Sequence, residues 1–599
     1  MANIQKLNAK KRKRKVIPHG TEKRGKNGKS PWGLLISIVL ICLVGVIVYS
    51  NSFDCSFHFD DTFFIEQNIA IRSLSNAKAW WGFYSSRPIV FLSFALNYHF
   101  HGLDVWGYHL VNLAIHIFNA VLVWWLVMLT LATPVMRAQP ISRHKGAMAL
   151  FTALLFVSHP LATQSVTYIS QRMASLATLF YLLSLALYVK GRLREGNKDT
   201  RVLFLYAGSI LCAVLGMLTK EIVFTLPFAL ILYEYSFIRT DTWKIDIKDR
   251  GIQIPIIILG IFVVFISLTF SLKIFSPKSP FLAYDYPITA WQYLLTQFSV
   301  ILTYIRLFIL PVNQNLDYDY PISHSLLELH TLFGLLSLTG ILVLGILLFR
   351  RYRLIAFGIF WFFLTISVES SIIPIAHDVI FEHRTYLPGF GFFLVLMGTV
   401  FYFLWDRYRQ VSVAALVLLV LTNTVLTYER NKVWKSESTL WADCLKKSPN
   451  KPRSLYNYGR ELATAGHASE ALTYYDKAIK ANPHLLEAYY NRGIAYGRLG
   501  NHNQAIGDFG RAIEINPKYA EAYNSRGIAH NNLGNYALAI GDFDRAIEIK
   551  PTFAEAYYNR GIAYNNLGDQ NKAIENFEIA SKLGSKASQD FLRKQGIDR

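Results

Sequence analysis

Hydrophobic positions divide this chain into two unlike parts. Between residues 31 and 430 the sequence contains long apolar runs of the length that a bilayer core requires. From residue 431 to residue 599, apolar positions recur at helical spacing among polar ones. The pattern predicts an all-α protein, in which a polytopic membrane domain at 31–430 precedes a soluble helical array. The twelve apolar runs are 32–49, 110–131, 146–162, 173–189, 202–218, 222–238, 254–272, 291–310, 326–349, 354–373, 389–404 and 411–428.

The positive-inside rule gives these runs a predicted orientation. With the N-terminus in the cytosol, clusters of Lys and Arg occupy the cytosolic connections through the first seven runs. The eighth run is interrupted by Gln292, Gln297 and Arg306. If this run crossed the membrane, the next two clusters of Lys and Arg would face outward. We therefore predict about eleven crossings and one interfacial helix on the outer side. The segments predicted to lie outside are the loop 51–108, the turns 159–172 and 219–221, the loop 374–388 and the chain after residue 430.

The C-terminal part repeats itself every 34 residues. Two series of residues keep this period: Gly459, Gly493, Gly527 and Gly561, and Pro449, Pro483, Pro517 and Pro551. Such a period, with small, aromatic and proline positions in fixed order, is typical of tetratricopeptide repeats, which stack into an α-solenoid. The predicted segments are a lead-in helix at 431–451, four repeats at 452–587 and a capping helix at 588–599.

Asparagines recur at one position of the repeats. Asn457, Asn491 and Asn559 share this position, and Ser525 interrupts the series. A ladder of amides can hydrogen-bond the backbone of an extended acceptor peptide. The same amides can also satisfy neighbouring helix ends, and the sequence leaves both interpretations open.

Composition supports this division and limits the possible classes of function. The 599 residues are 52% hydrophobic and only 17% charged, which excludes a disordered chain, a disulfide-stapled secreted module and an ordinary cytosolic enzyme. Much of the net charge of +21 lies in residues 1–30, which carry eleven Lys or Arg against one Glu. This pattern is typical of a nucleic-acid-binding arm or of a cytosolic membrane anchor. Because an apolar run follows at once, we predict a basic cytosolic tail and no nucleic-acid partner.

Four cysteines provide no disulfide framework. Cys42 and Cys212 lie inside apolar runs, where they are predicted to pack. Cys55 and Cys444 are predicted to share the outer side. A disulfide between them stays open, and two free thiols are the expectation.

Charged residues recur at the predicted outer ends of the apolar helices. The adjacent carboxylates of Asp60 and Asp61 suit a general base or a metal ligand, although residue type alone favours solvated acids in a turn. The other charged residues at these ends are Arg87, Arg172, Lys220, Glu221, Glu382, His383 and Arg384. Interfacial charges are common, so residue type alone does not assign them a function.

The second apolar helix carries a polar stripe. His109, Asn112, His116 and Asn119 lie on one of its faces. In lipid such a stripe must face protein or a wet cavity. His109 and His116 are two turns apart, which is poor spacing for one metal ion, so we predict hydrogen bonds between helices.

The motifs of the membrane domain follow one another in a recognisable order. In chain order they are FDD at 59–61, RP at 87–88, LNY at 96–98, WGYHLVN at 106–112, HP at 159–160, YISQR at 168–172, KE at 220–221 and EHRTYLP at 382–388. Each motif alone is weak. The ordered set, followed by the repeats, resembles the transmembrane-and-tetratricopeptide-repeat O-mannosyltransferases over almost the whole chain.

This resemblance implies a polytopic glycosyltransferase of the GT-C type, which transfers a sugar, here mannose, from a polyprenyl-phosphate donor. It implies that Asp60 or Asp61 accepts the proton of a Ser or Thr hydroxyl of the acceptor protein. The implied partners are the lipid bilayer, the donor and an acceptor protein or peptide bound by the repeats. A divalent metal cofactor stays open. Candidate donor-phosphate ligands are Arg87, Arg172, Lys220, Arg306 and Arg384, and Glu221, Glu382 and His383 are further outer-face candidates.

Two other classes of function compete with a glycosyltransferase. One is a non-enzymatic, membrane-anchored scaffold whose repeats bind proteins of the cell envelope, although an anchor needs far fewer helices. The other is a transporter or lipid flippase, for which duplicated halves with interrupted helices would be expected. The outward segments contain no Asn-x-Ser/Thr sequon. We therefore expect a bacterial cytoplasmic membrane, a cytosolic N-terminus and repeats on the periplasmic or extracellular face.

Overall fold

The structure of the chain, a computed structural model, describes residues 31–195, 200–240, 249–271, 288–370 and 378–597. The predicted basic tail and part of the loop 374–388 lie outside these residues. The described residues from Ile41 onward belong to one compact unit, and the described residues before Ile41 belong to another. The described residues contain helices and connections and no strand. The predicted all-α fold is confirmed.

Helices follow one another along the whole described chain. The α-helices are α1 Pro31–Val48, α2 Ala77–Phe83, α3 Pro88–His101, α4 Val105–Thr130, α5 Pro134–Arg137, α6 Lys145–Ser158, α7 Thr163–Val166, α8 Arg172–Arg192, α9 Arg201–Met217, α10 Leu226–Tyr233, α11 Arg250–Ser271, α12 Ala290–Ile309, α13 Leu329–Leu348, α14 Arg353–Ile366, α15 Pro388–Thr399, α16 Arg409–Val433, α17 Glu437–Lys447, α18 Pro452–Thr464, α19 Ala468–Ala481, α20 Leu486–Arg498, α21 His502–Ile515, α22 Ala520–Asn532, α23 Tyr536–Ile549, α24 Ala554–Leu567, α25 Gln570–Lys582 and α26 Lys586–Lys594. Short 3₁₀ or π-helical turns lie at Thr62–Glu66, Ile69–Arg72, Pro140–His144, Pro160–Ala162, Ile169–Gln171, Glu221–Thr225, Glu234–Ile238, Glu382–Thr385 and Val400–Leu404.

Six helices of the described chain are long and apolar enough to cross a membrane. They are Val105–Thr130, Ile169–Arg192, Glu221–Ile238, Ala290–Ile309, Leu329–Leu348 and Arg409–Val433. A seventh span results if Pro140–Ser158 and Pro160–Val166, bent by 53° where proline excludes a continuous helix, are counted together. The shorter apolar helices are Gly33–Val48, Arg201–Met217, Arg250–Ile266, Arg353–Ile366 and Pro388–Leu404. Every predicted apolar run overlaps a helix in its described residues, and the ends of the runs 254–272 and 354–373 lie outside the described residues. The chain is therefore a multi-pass membrane protein, whereas the number of crossings stays a prediction.

Helix α12 is long enough to span a bilayer, but its contacts support the predicted interfacial position. Near its start, the Tyr293 hydroxyl donates to the carbonyl of Glu369 at 2.8 Å. Near its end, the Tyr304 hydroxyl donates to the carbonyl of Phe381 at 3.1 Å, and the carbonyl of Phe308 lies 3.1 Å from a ring nitrogen of His159. All three partners lie in or beside connections predicted to be outside. A crossing helix would instead carry one end about 30 Å away.

The polar stripe of α4 holds neighbouring helices and connections together, as predicted. A ring nitrogen of His109 lies 2.9 Å from the carbonyl of Cys55, and the amide of Asn112 donates to Val166 at 3.0 Å. One turn further, His116 approaches the carbonyl of Val157 at 3.1 Å, and Asn119 donates to Ser175 at 2.8 Å. All four side chains are buried.

The C-terminal array consists of four helix pairs, α18–α19, α20–α21, α22–α23 and α24–α25, followed by α26. Each pair packs tightly because its first helix carries glycine at the contact. A Cβ atom at Gly527 would lie 2.7 Å from the ring of Phe543. A Cβ atom at Gly493 would be equally close to the ring of Phe509, and one at Gly561 would be similarly close to the ring of Phe577. The turn inside each pair has a positive φ angle, which glycine adopts readily. The turn glycines are Gly466, Gly500, Gly534 and Gly568.

Helix α17 joins this array to the membrane domain. Trp434, Leu440 and Trp441 share a buried apolar cluster with Tyr168 and Leu316 of the membrane domain. Cys55 and Cys444 belong to the same cluster, and both are free, as expected. Burial raises the pKa of each thiol to about 12, so neither is activated.

Candidate active site

The two adjacent aspartates have different surroundings. Asp61 is fully buried. Its carboxylate accepts the backbone N–H of His58 at 3.0 Å and that of Ser170 at 2.6 Å. Burial raises the pKa of Asp61 to about 7, against the opposing effect of these hydrogen bonds. Asp61 therefore fastens the first outer loop to the turn 159–172.

Asp60 is placed differently from Asp61, because it is not fully buried. The residue is partly exposed, and its backbone N–H donates to the Tyr168 hydroxyl at 3.0 Å. Within the described ranges it forms no ion pair. Burial raises the pKa of Asp60 to about 6, opposed by a hydrogen bond to Tyr168 and by the positive charges of Arg453 and Arg87. A carboxylate in this pKa range can accept a proton near neutral pH.

The backbone directly before Asp60 is strained. Phe59 has a φ angle of +45°, which a residue with a bulky side chain rarely adopts. Its N–H donates to Glu437 Oε1 at 3.2 Å, and its ring contacts that of Trp441 with centroids 6.1 Å apart. The guanidinium of Arg453 lies 5.2 Å from the centre of the Phe59 ring. Strained residues of this kind are concentrated at functional sites, where surrounding contacts fix them.

Two predicted cations are held by carboxylates. Arg87 forms a bidentate pair with Glu221, with Nη2–Oε1 and Nη2–Oε2 distances of 2.7 and 2.9 Å. Burial lowers the pKa of Arg87, but the Glu221 carboxylate more than offsets this effect. Lys220 pairs with Glu369, with 2.5 Å between Nζ and Oε1, and both side chains are buried. Both cations are therefore fixed in position by a carboxylate partner.

Arg172 lies inside the protein, where it joins three helices. It is fully buried, and its Nε donates to Asn112 at 2.6 Å. Its two other nitrogens donate to the carbonyls of Tyr108 at 3.0 Å and Ser93 at 3.3 Å. The predicted donor-phosphate ligand Arg172 is thus engaged in structural hydrogen bonds.

Arg384 and Arg306 have contrasting environments. Arg384 is buried, and its Nη1 donates to the Tyr293 hydroxyl at 2.9 Å and to the carbonyl of Val379 at 3.2 Å. Arg306, near the end of α12, is exposed. The structure gives it one long hydrogen bond, at 3.4 Å to the carbonyl of Val312, and no ion pair with any described residue.

His383 shows that several of these cations converge. Burial and the positive charges of Lys220, Arg384 and Arg87 lower its pKa well below the usual value. The backbone N–H of His383 donates to Gln164 Oε1 at 3.2 Å, and the His383 ring stacks on the ring of Phe381. The imidazole of His383 is therefore neutral, and its environment is positively charged.

Glu382 is fully buried beside this group, and its contacts are structural. It accepts hydrogen bonds from the backbone N–H of Asn315 at 2.7 Å, the Tyr318 hydroxyl at 2.6 Å and the Gln314 amide at 2.9 Å. Burial raises the pKa of Glu382, and the positive charge of Arg430 partly opposes this rise. Glu382 thus fixes the segment that follows α12.

The asparagines of the repeats use their amide donors within the protein. Asn457 donates to the carbonyl of Arg453 at 3.0 Å, and Asn491 donates to that of Glu487 at 2.9 Å. Asn559 donates to the side chain of Asn524 at 3.0 Å. These contacts support the structural interpretation of the series, and binding of an acceptor by these side chains stays untested.

Sequence reasoning missed residues that complete the site from distant parts of the chain. These are Tyr168, Asp317, Glu369, Asp378, Glu437 and Arg453. Tyr168 lies in a quoted motif, whereas the acidic residues carry no local signal. Among the described residues, no group of three His, Cys, Asp or Glu side chains is arranged to hold a metal ion.

The fold and this polar cluster define a multi-pass membrane protein whose charged cluster contacts the start of a helical repeat array. Models of the tetratricopeptide repeat match residues 452–485, 486–519, 520–553 and 543–575. The chain is 25% identical to "Protein O-mannosyl-transferase Tmtc3" of Drosophila melanogaster over 78% of this chain and 57% of that protein. It is 25% identical to "Protein O-mannosyl-transferase TMTC3" of Homo sapiens over 74% and 51%, respectively.

This chain is thus a homologue of proteins named O-mannosyl-transferases along most of its length, which confirms the resemblance inferred from its motifs. It spans about half to three fifths of the length of the curated relatives that it matches. Among solved structures, the repeats match a crystal structure of MamA protein at 29% identity, over 25% of this chain and 83% of that one, with a TM-score of 0.23.

Proposed function

We propose that this protein transfers mannose from a polyprenyl-phosphate donor to a Ser or Thr hydroxyl of a protein acceptor. The acceptor oxygen forms a bond to the anomeric carbon while the bond from that carbon to the phosphate oxygen breaks. The hydroxyl proton passes to the Asp60 carboxylate, and the bonding electron pair leaves with polyprenyl phosphate. A direct displacement of this kind inverts the configuration of the sugar carbon.

We assign the two aspartates different functions in this reaction. Asp60 is assigned as the general base because the residue is partly exposed and its pKa of about 6 allows it to accept a proton. Asp61 is a structural residue because two backbone N–H groups occupy its carboxylate.

The leaving phosphate needs positive charge in fixed positions. We propose Arg87, Lys220 and Arg384 for this function, since two of them are fixed by carboxylates and the positive charge of each acts on His383. The exposed Arg306 is proposed to guide the donor headgroup, because an arginine on an interfacial helix lies at phosphate depth. Arg172 is assigned a structural function.

The reaction is proposed to occur on the non-cytoplasmic face, with the repeats binding the acceptor and the donor entering sideways from the bilayer. The distribution of Lys and Arg supports this orientation. We propose a bacterial cytoplasmic membrane only because the outward segments contain no sequon. The relatives named above come from animals. A divalent metal is not part of the proposed step.

The observation that carries this proposal is the partly exposed Asp60 in a chain homologous to O-mannosyl-transferases. The test incubates purified protein with polyprenyl-phosphate mannose and a Ser/Thr peptide, and measures released polyprenyl phosphate and the mass of the peptide. We expect Asp60→Asn to reduce transfer by roughly a hundredfold to ten-thousandfold. Asp54→Asn, an exposed acid in the same loop, is the matched control and keeps full activity.

Full activity of Asp60→Asn would remove Asp60 from the chemistry. A wild-type protein that binds the peptide yet releases no polyprenyl phosphate would instead favour the scaffold.

A further inference from the structure

The first repeat differs from the others at one charged position. Glu487, Glu521 and Glu555 recur with the 34-residue period near the start of the first helix of their repeats. In the first repeat the same position is Arg453. The periodic pattern thus reverses its charge only in the repeat that adjoins the membrane domain.

The contacts of Arg453 account for this reversal. Its guanidinium forms ion pairs with Asp317, which is fully buried, and with Asp378 at 2.7 Å. Ser454 also donates to Asp317, at 2.8 Å. Burial raises the pKa of the Asp378 carboxyl, but the charges of Arg453 and Lys451 outweigh it and hold that pKa below its usual value. A glutamate at position 453 would face these carboxylates and repel them.

Arg453 also lies against the residue that presents the proposed base. Its guanidinium covers the Phe59 ring, and its charge acts on Asp60. Glu437 and Trp441 of α17 hold the backbone and the ring of the same Phe59. The strained conformation before Asp60 is therefore held by side chains that come after the last apolar helix.

We propose that Arg453 is a positioning residue of the active site, and that the lead-in helix and the first repeat complete this site by fixing Phe59 and Asp60. The proposal rests on the proposed function of Asp60. The first repeat is then part of the catalytic unit, in addition to any binding of acceptors by the array. Loss of Arg453 should lower kcat, whereas loss of a purely recruiting contact should raise the KM of the acceptor.

The test measures kcat and KM of the full chain with polyprenyl-phosphate mannose and a short acceptor. A Ser-containing peptide of about ten residues is suitable because it extends at most about 35 Å and cannot follow the array. We expect Arg453→Gln to lower kcat roughly tenfold to a hundredfold, because a misplaced base costs about this much. The KM of the peptide should stay within about twofold.

Arg526→Gln is the matched control. Arg526 lies in the third repeat and pairs only locally, with Asp542 at 2.7 Å. This variant should keep the wild-type kcat and KM. Equal kcat values for Arg453→Gln and Arg526→Gln would overturn the proposal, and so would a change confined to KM.

A second variant keeps the proposal testable if Arg453→Gln does not fold. Arg453→Lys keeps the charge but cannot bridge two carboxylates with a planar fork. The kcat of Arg453→Lys should be measurable and lower than that of the wild-type protein. A kcat equal to that of the wild type would contradict the proposal. Absence of transfer by the wild-type protein would refute the proposed function itself, which separates the two failures.

Discussion

At the residue scale, neighbouring side chains of one type receive different functions from their surroundings. Asp60 and Asp61 are equivalent in the sequence, but two backbone N–H groups bind the Asp61 carboxylate, whereas Asp60 is a partly exposed residue. The cations separate in the same way. Arg172 is engaged inside the protein, while Arg87 and Lys220 are held at the site by carboxylates.

The acid–base assignment predicts the pH dependence of transfer. Burial raises the pKa of Asp60 to about 6, and the base must be ionised to accept a proton. Activity should therefore be full above this pKa and decline roughly tenfold for each pH unit well below it. The measurement is the initial rate between about pH 4.5 and pH 8 at saturating donor. A rate that stays constant down to pH 5, with the fold intact by circular dichroism, would contradict this assignment.

At the element scale, amino-acid patterns determined which helices form, and contacts determined what each helix does. Each predicted apolar run contains a helix among its described residues, and the run that becomes α12 meets the length and hydropathy requirements of a span. Its hydrogen bonds at both ends, to Glu369 and Phe381, support an interfacial position instead. Hydropathy alone does not separate these two arrangements.

The repeats allow a direct test of helix packing. Gly527→Ala would place a Cβ atom 2.7 Å from the buried ring of Phe543, so the helices of the third repeat must separate. We expect a loss of about 1–3 kcal/mol in the unfolding free energy of the array, as in other overpacked cores. The measurement is urea unfolding of the full chain, followed by circular dichroism.

Gly541→Ala is the control for this packing test. Gly541 lies in the second helix of the same repeat, and a Cβ atom added there would meet open space. Alanine there should stabilise the helix by about 0.5–1 kcal/mol, because glycine has a poor helix propensity. Equal effects at positions 527 and 541 would show that the close approach of the helices contributes nothing.

At the scale of the whole molecule, the site forms from parts far apart in the chain. The first outer loop, the turn 159–172, the segment after α12 and the lead-in helix contact one another directly. Asn315 donates to Ser448 at 2.9 Å, and Glu437 Oε1 lies 3.1 Å from His58 Nδ1. These segments must therefore occupy the same aqueous compartment, whichever side of the membrane it is.

A reporter fused after residue 599 tests which side this is. In a bacterial host, we expect a C-terminal alkaline phosphatase to be active and a C-terminal cytosolic fluorescent protein to be dark, because Lys and Arg favour the cytosol. The control places the same reporters in the basic connection near Lys190, where the pattern should reverse. Cytosolic fluorescence at the C-terminus would move the site to the cytoplasmic side and contradict the proposed reaction.

The sequence by itself predicted the helical membrane domain, the repeat period and most charged residues of the site. Each of these features follows from a local pattern: bilayer thickness fixes the length of apolar runs, and helix-pair packing fixes the 34-residue period. A signal for Arg453 was also present, since it interrupts a periodic glutamate, but its meaning depended on Asp317 and Asp378, which no local pattern marks.

Only the tertiary structure gives Asp60 and Asp61 different surroundings, buries Arg172 and places Arg453 against Phe59. These outcomes depend on burial and on partners that lie 60 or more residues away in the chain. The free energy of a charged side chain is determined by its desolvation and its nearest countercharges, which arise only when the chain has folded. Local sequence therefore specified the helices and the kinds of charge, and packing decided which of those charges could act.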